Sequence, residues 1–226
     1  MATTPLTTDE EKATVFIVDD HPLVREWLTY LINQQPDLRT CGDASSPAEA
    51  LKLISDLKPR IVIVDISLEE GSGIELIRAI KAAVPDSAVI VLSVHDESLY
   101  AERALRAGAR GYVMKRDVTK KVLQAVRSVL KGDLFLSEKA AMMVAALHVE
   151  GRLLTDSPVA RLSDRELRVF ELLGRGCSNR QIGLELNVSF KTVQAFCARI
   201  KAKLKLTNKS ELLRVAVLWN NNQPSH

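Results

Sequence analysis

Val15-Phe16-Ile17-Val18-Asp19-Asp20 runs four apolar residues straight into two carboxylates. Three later segments have the same form. Ile61-Val62-Ile63-Val64 leads into Asp65, Ala88-Val89-Ile90-Val91-Leu92 into Ser93, and Gly111-Tyr112-Val113-Met114 into Lys115. Short apolar runs without polar alternation are the mark of strands buried on both faces. A weaker strand is expected around Leu38 to Cys41. Between these runs the apolar residues recur at helical spacing. Strands alternating with helices predict an α/β doubly wound sheet of five parallel strands.

The helices can be read from their faces and caps. Leu23, Val24, Trp27, Leu28, Leu31 and Ile32 form one apolar face. Ser46-Pro47-Ala48-Glu49 has the form of a capping box with proline at the first helical position. It opens a helix with Ala50, Leu51, Ile54 and Leu57 inward. Ser72 to Glu75 caps the next, with Ile74, Ile77 and Ile80 inward; Leu99 to Ala107 and Val118 to Leu130 complete five helices. The expected first domain is 14–131. Residues 132–160 form a connector, helical over Ser137 to His148 and loop from Gly151 to Pro158.

Residues 161–222 read as a separate all-α domain. Ser163-Asp164-Arg165-Glu166 and Ser178-Asn179-Arg180-Gln181 are capping boxes, and Gly174 and Gly176 break the first helix. Asn187-Val188 makes a tight turn. Ser189 caps a long helix with Val193, Phe196, Cys197, Ile200 and Leu204 inward, and Asn208 caps the last. Helix, short turn and helix over 178–205 form a helix-turn-helix, in which Gly183 permits close approach. Such a motif places its second helix in the major groove of double-stranded DNA.

Charge supports that division. Residues 1–132 hold 17 Lys/Arg against 19 Asp/Glu, a net −2, whereas 161–226 hold 12 against 5, a net +7. A basic tail domain suggests a nucleic-acid partner. No apolar run reaches the length of a membrane span, and the start is polar and acidic, so a cytoplasmic protein without a membrane partner is expected. The three cysteines lack metal-type spacing and are expected to be reduced. The four histidines make no ligand pattern.

Open parallel sheets bind ligands at the carboxyl ends of their strands. Asp19, Asp20, Asp65, Ser93 and Lys115 therefore converge. Three carboxylates repel unless a cation joins them, and all-oxygen ligation suits Mg²⁺. Asp65 is the expected nucleophile toward a phosphoryl group, forming an acyl phosphate. Asp20 would hold Mg²⁺ directly and Asp19 assist, with the Ser67 carbonyl as a further ligand. Lys115 would pair with phosphoryl oxygens, and Ser93 would donate its hydroxyl to them.

These segments carry a family resemblance. Val18-Asp19-Asp20-His21-Pro22, Val64-Asp65-Ile66-Ser67, Leu92-Ser93-Val94-His95-Asp96 and Gly108 to Lys115 resemble the flavodoxin-like receiver domain of bacterial response regulators. The resemblance implies phosphorylation of Asp65 by a cognate sensor histidine kinase. It also implies a switch in which Ser93 moves and Tyr112 changes rotamer. Leu162 to Glu166, Gly176 to Ile182, Ser189 to Val193, Ile200 and Lys203-Leu204 resemble the LuxR-type output domain. Together they are similar to the NarL/FixJ transcription regulators. The groove-facing set in this chain would be Lys191, Thr192, Gln194, Ala195, Ala198, Arg199, Lys201 and Lys203. A homodimer on DNA is implied, with Leu212 to Trp219 as its surface.

The chain departs from the family at several places. Glu69 stands where proline is usual, and Val94 is larger than the common residue after the switch hydroxyl. Gln194 and Phe196 replace the usual Lys and His, and Ala198 stands where some relatives have a basic contact. Two rival readings remain open at this level. One is a phosphatase with Asp65 as nucleophile, which Ser67 disfavours because such enzymes carry a second acid there. The other is a module that binds partners or DNA without using phosphate.

Overall fold

A computed structural model gives the fold; it describes residues 12–68, 72–94, 97–149 and 158–221. Glu69, Glu70, His95, Asp96 and residues 151–157 of the loop expected from Gly151 to Pro158 lie outside the described residues; Pro158 itself opens a short 3-10 turn, Pro158–Arg161. The chain divides into two units, residues 1–146 and 147–226.

The first unit is a parallel sheet of β1 (Ala13–Val18), β2 (Leu38–Ala44), β3 (Ile61–Asp65), β4 (Ala88–Ser93) and β5 (Ala109–Met114) in the order β2-β1-β3-β4-β5. Strand order reverses between β1 and β3, so the two chain exits part there and leave a crevice at their carboxyl ends. Asp19 follows β1 and Asp65 ends β3, so the topology alone makes them neighbours. Successive side chains take opposite faces of a strand. Val15, Ile17, Ile61, Ile63, Ile90, Leu92 and Val113 share one core with Leu28 and Ile32 of α1 (Pro22–Asn33) and with α5 (Val118–Leu130). The opposite face, with Phe16, Val62, Val64, Val89, Val91 and Tyr112, is buried under α2 (Pro47–Leu57), α3 (Gly73–Ala83) and α4 (Glu97–Ala107). Burial of both faces is why these strands read as unbroken apolar runs.

The edges differ from expectation. β2 runs on to Ala44 through Gly42 and Asp43, poor strand formers at an edge. Gly42 is required by packing, since a Cβ there would lie 2.8 Å from the Phe16 ring. The open edge of β5 is capped by one residue of the connector. The Phe135 N–H donates to the Arg110 carbonyl at 3.0 Å, and its carbonyl accepts from the Tyr112 N–H at 2.8 Å. The connector helix α6 spans Glu138–Val149.

Some faces and caps differ as well. Leu23 and Leu57 are exposed, so the inward faces of α1 and α2 are narrower than their apolar stripes. Ser46 occupies the N-cap of α2 with Pro47 in the first turn, but its hydroxyl makes no cap bond. Glu49 instead accepts from the Ser45 N–H at 3.3 Å, one residue earlier than a capping box requires.

The second unit holds α7 (Asp164–Gly174), α8 (Asn179–Glu185), α9 (Phe190–Leu204) and α10 (Lys209–Asn221). Both capping boxes close as expected, at Ser163/Glu166 and Ser178/Gln181. α7 packs on α9 and α10, and α8 on α9. Leu167, Phe170, Ile182, Val193, Ile200, Leu212 and Ala216 are buried between them, and Phe170 lies 5.6 Å from Trp219 between ring centroids. The turn between α8 and α9 has Asn187 at φ +51, a left-handed conformation that asparagine tolerates. A Cβ on Gly183 would meet the Val188 carbonyl at 2.8 Å. The close approach is therefore between α8 and the turn, which sets α9 at its angle.

Candidate functional site

The strand ends of the first unit build a buried acidic site. Asp19 and Asp65 are each 1% exposed, and Ser93 is fully buried at the end of β4. Lys115, just beyond β5, reaches across so that its Nζ lies 2.8 Å from Asp65 Oδ2 and 2.7 Å from Asp19 Oδ2. The other Asp65 oxygen, Oδ1, accepts from the Ser67 N–H at 3.0 Å. The Asp65 carboxylate is thus fixed at both oxygens, by its own loop and by a charge 50 residues away. Tyr112, buried at 1%, lies on β5 in register with Val91, while Ser93 pairs with Met114.

Electrostatics sets the state of this pair. Burial pushes the Asp65 carboxyl above the usual carboxylate range; the Lys115 ammonium opposes that rise and the Asp19 charge adds to it. Burial pulls the Lys115 ammonium down, but Asp65 and Asp19 together outweigh it and hold Lys115 above the ordinary lysine value. Asp19 and Asp65 share the Lys115 ammonium. One carboxylate oxygen each of Asp19, Asp20 and Asp65 and a ring nitrogen of His21 lie within 4.8 Å of one another. Such a set, rich in hard oxygen donors, is compatible with Mg²⁺.

His21, whose spacing from the other histidines makes no ligand pattern, stands beside the carboxylates. Its N–H donates to Asp19 Oδ1 at 2.9 Å, and its ring Nδ1 lies 3.2 Å from Asp19 and 2.5 Å from Asp20. The signal was available: a histidine directly after two carboxylates, with Pro22 starting a helix, turns back on them.

A Cβ at Gly73 would lie 2.4 Å from the Asp65 carbonyl oxygen and 2.6 Å from the Ile66 Cα. The first turn of α3 therefore rests on the backbone that carries Asp65. Among the described neighbours, Val94 is exposed at the mouth.

In the second unit, α9 presents the expected groove residues unevenly. Lys191, Gln194, Ala195, Ala198 and Arg199 are exposed, at the spacing of one helical face. Lys201 is half-buried. Thr192 is engaged at the cap: its N–H donates to Ser189 Oγ at 3.1 Å, and the two hydroxyls lie 2.8 Å apart. Lys203 binds Glu166 Oε2 at 2.6 Å and so ties α9 to α7. Glu166 is buried and also accepts the Ser163 N–H at 2.8 Å. Burial raises its pKa, but Lys203 and Ser163 outweigh that and hold the carboxyl below the usual glutamate value. No local sequence signal could have found this pair, since its members are 37 residues apart. Phe196 is half-buried, with the Arg199 guanidinium 4.7 Å from its ring centroid.

Residues 15–127 match the family of response regulator receiver domains. Residues 160–216 match the bacterial regulatory proteins of the luxR family. The oxygen regulatory protein NreC of Staphylococcus haemolyticus (strain JCSC1435) is 32% identical over 208 residues, covering 90% of this chain and 96% of that protein. A two-component response regulator of the LuxR family from Aurantimonas sp. SI85-9A1 is similar in structure, with TM-score 0.57 and 33% identity over 61% of this chain and 99% of that one. RcsB from Salmonella enterica serovar Typhimurium, solved bound to promoter rprA in the presence of phosphomimetic BeF3-, has TM-score 0.56 and 25% identity over 91% of this chain and 98% of its own. Among the described residues no helix is long and apolar enough to cross a membrane.

Proposed function

Because this chain belongs to the NarL/FixJ family of two-component transcriptional response regulators, we propose that Mg²⁺-dependent phosphorylation of Asp65 by a cognate histidine kinase switches its DNA binding. The observation that carries the proposal is the Asp65 carboxylate, buried and held between the Ser67 N–H and the Lys115 ammonium, beside Asp19 and Asp20. We assign 14–131 to the phosphoacceptor domain, 132–160 to the connector and 161–222 to the DNA-binding domain.

Asp65 attacks the phosphorus of a phosphohistidine. A P–O bond forms, the P–N bond breaks, and its electron pair returns to the imidazole, which takes up a proton. Asp19, Asp20, Asp65 and the Ser67 carbonyl would hold Mg²⁺, which supplies charge neutralisation on the transferring group. Lys115 passes from pairing with carboxylates to pairing with phosphoryl oxygens, without leaving its place. Ser93 donates its hydroxyl to the same group, and Tyr112 follows on the neighbouring strand. Water attack on the acyl phosphate returns the carboxylate and inorganic phosphate, so the protein resets itself and is a regulator that acts on no other substrate.

Phosphorylation acts by shifting an existing equilibrium. The RcsB structure with a phosphomimetic on promoter DNA supports a phosphorylated, DNA-bound active state here. Two copies would place two α9 helices roughly 34–36 Å apart on successive major grooves, with α10 as the dimer surface. The test is affinity for a duplex selected from a random library, with and without beryllium fluoride and Mg²⁺. Tighter binding in their presence, absent in Asp65→Asn, is expected. Equal affinity in both conditions would contradict the switch.

A further inference from the structure

The Arg199 guanidinium is engaged on only part of its surface. Its Cζ lies over the Phe196 ring, 4.7 Å from the centroid. Its Nε–H donates to the Ala195 carbonyl at 3.4 Å. These contacts hold the group back along α9 through Cζ and Nε, and among the described residues nothing takes the four Nη N–H donors of the exposed Arg199. Three other cationic residues of this unit are paired with carboxylates: Lys203 with Glu166, Arg168 with Glu171 and Glu185, and Arg175 with Glu171. Ala195 and Ala198 flank Arg199 on the exposed face. Their short side chains allow α9 to approach base edges closely where a longer residue would hold it off.

We infer that Arg199 reads a single guanine through its Nη edge, and that Phe196 is a positioning residue holding the guanidinium for that contact. This rests on the DNA-binding reading above. A planar fork matches the O6 and N7 acceptors of guanine in the major groove. A free arginine would lose rotamer freedom on forming that pair; stacking on an aromatic face removes part of that loss beforehand. The same fork can grip a phosphate, but a phosphate contact carries no sequence information, so the two are told apart by base preference. Phe196 therefore serves as a platform that holds the guanidinium.

The test is selection of duplexes from a random-sequence library by the full-length protein, followed by affinities for the selected site and for copies with each base pair changed. The expected wild-type result is a guanine whose replacement weakens binding on the order of 10- to 100-fold. Arg199→Lys should lose that preference at this one position and keep the others. Phe196→Leu keeps apolar volume without the ring; it should show a reduced preference at the same position, and Phe196→Tyr should restore it. Thermal midpoints of the three variants, matched to the wild type, separate this from loss of fold. A uniform weakening across all sequences in Arg199→Lys would make Arg199 a phosphate contact and overturn the inference. Full guanine preference in Phe196→Leu would overturn the positioning role. Failure of the wild type to bind any duplex would overturn the DNA-binding reading itself.

Discussion

Lys115 Nζ lies 2.8 Å from Asp65 Oδ2, and the same ammonium lies 2.7 Å from Asp19. One cation thus stands between two carboxylates that are both 1% exposed. Removing it leaves buried negative charges uncompensated. Lys115→Met should destabilise the first domain by roughly 3 kcal/mol, the low end for breaking a buried pair. Mg²⁺ should recover much of that loss, because a second cation serves the same carboxylates. Urea denaturation with and without Mg²⁺ reads both effects. A wild-type midpoint in Lys115→Met without Mg²⁺ would count against the account.

Gly73 bears on Asp65 through the backbone alone. A methyl group 2.4 Å from the Asp65 carbonyl oxygen must push either α3 or the loop. Gly73→Ala should cost about 1–3 kcal/mol by overpacking, and it should slow phosphoryl transfer from a small donor more than Ala at Gly132, where a Cβ meets nothing within 4 Å and the strain comes only from a left-handed backbone (φ +92). Equal transfer rates in the two variants would show that the loop yields without moving Asp65.

The Glu166–Lys203 pair sets a pH dependence for the second domain. The folded pKa of Glu166 is depressed. Its contribution is therefore present above the unfolded value, about 4.3, and is lost as pH falls through the lower folded value. Glu166→Gln should destabilise the domain at pH 7 by about 1 kcal/mol, a figure reduced because Lys203 is partly in water. The difference from wild type should shrink as the pH is lowered through that window. A difference that does not change with pH would assign the effect to packing.

Leu218 and Val217 are exposed on α10. If this face joins two copies on DNA, Leu218→Glu should weaken binding to a two-half-site duplex at least tenfold, while phosphorylation and thermal midpoint stay at the wild-type values. Leu218 is a cleaner probe than Leu213, which is half-buried and whose replacement also disturbs the core. Unchanged affinity for that duplex would move the dimer contact elsewhere.

The sheet and the acidic site were legible because burial on both faces leaves unbroken apolar runs, and each run ends on a residue with chemistry. Where one of those conditions failed, reading failed. β2 lies at an edge and contains Gly42 and Asp43, so its apolar pattern stops before the strand does. The cap at Ser46 could not be read, because Glu49 reaches Ser45 and no local pattern chooses between adjacent N–H groups. Histidine spacing does not reveal His21, because its contact with Asp19 and Asp20 arises from a turn in the backbone. On α9, periodicity located the exposed face but not the bonds made across it. The diversion of Lys203 to Glu166, and of Thr192 to Ser189, follows from the packing of helices distant in sequence or from cap geometry.

The central claim is that Asp65 accepts a phosphoryl group with help from Mg²⁺. Intact mass after incubation with acetyl phosphate and Mg²⁺ tests it most directly, with beryllium fluoride binding as the companion reading. One phosphoryl increment is expected in the wild type, lost in Asp65→Asn and lost when Mg²⁺ is removed. An increment that persists in Asp65→Asn, or a wild type that gains no mass and binds no beryllium fluoride, would contradict it.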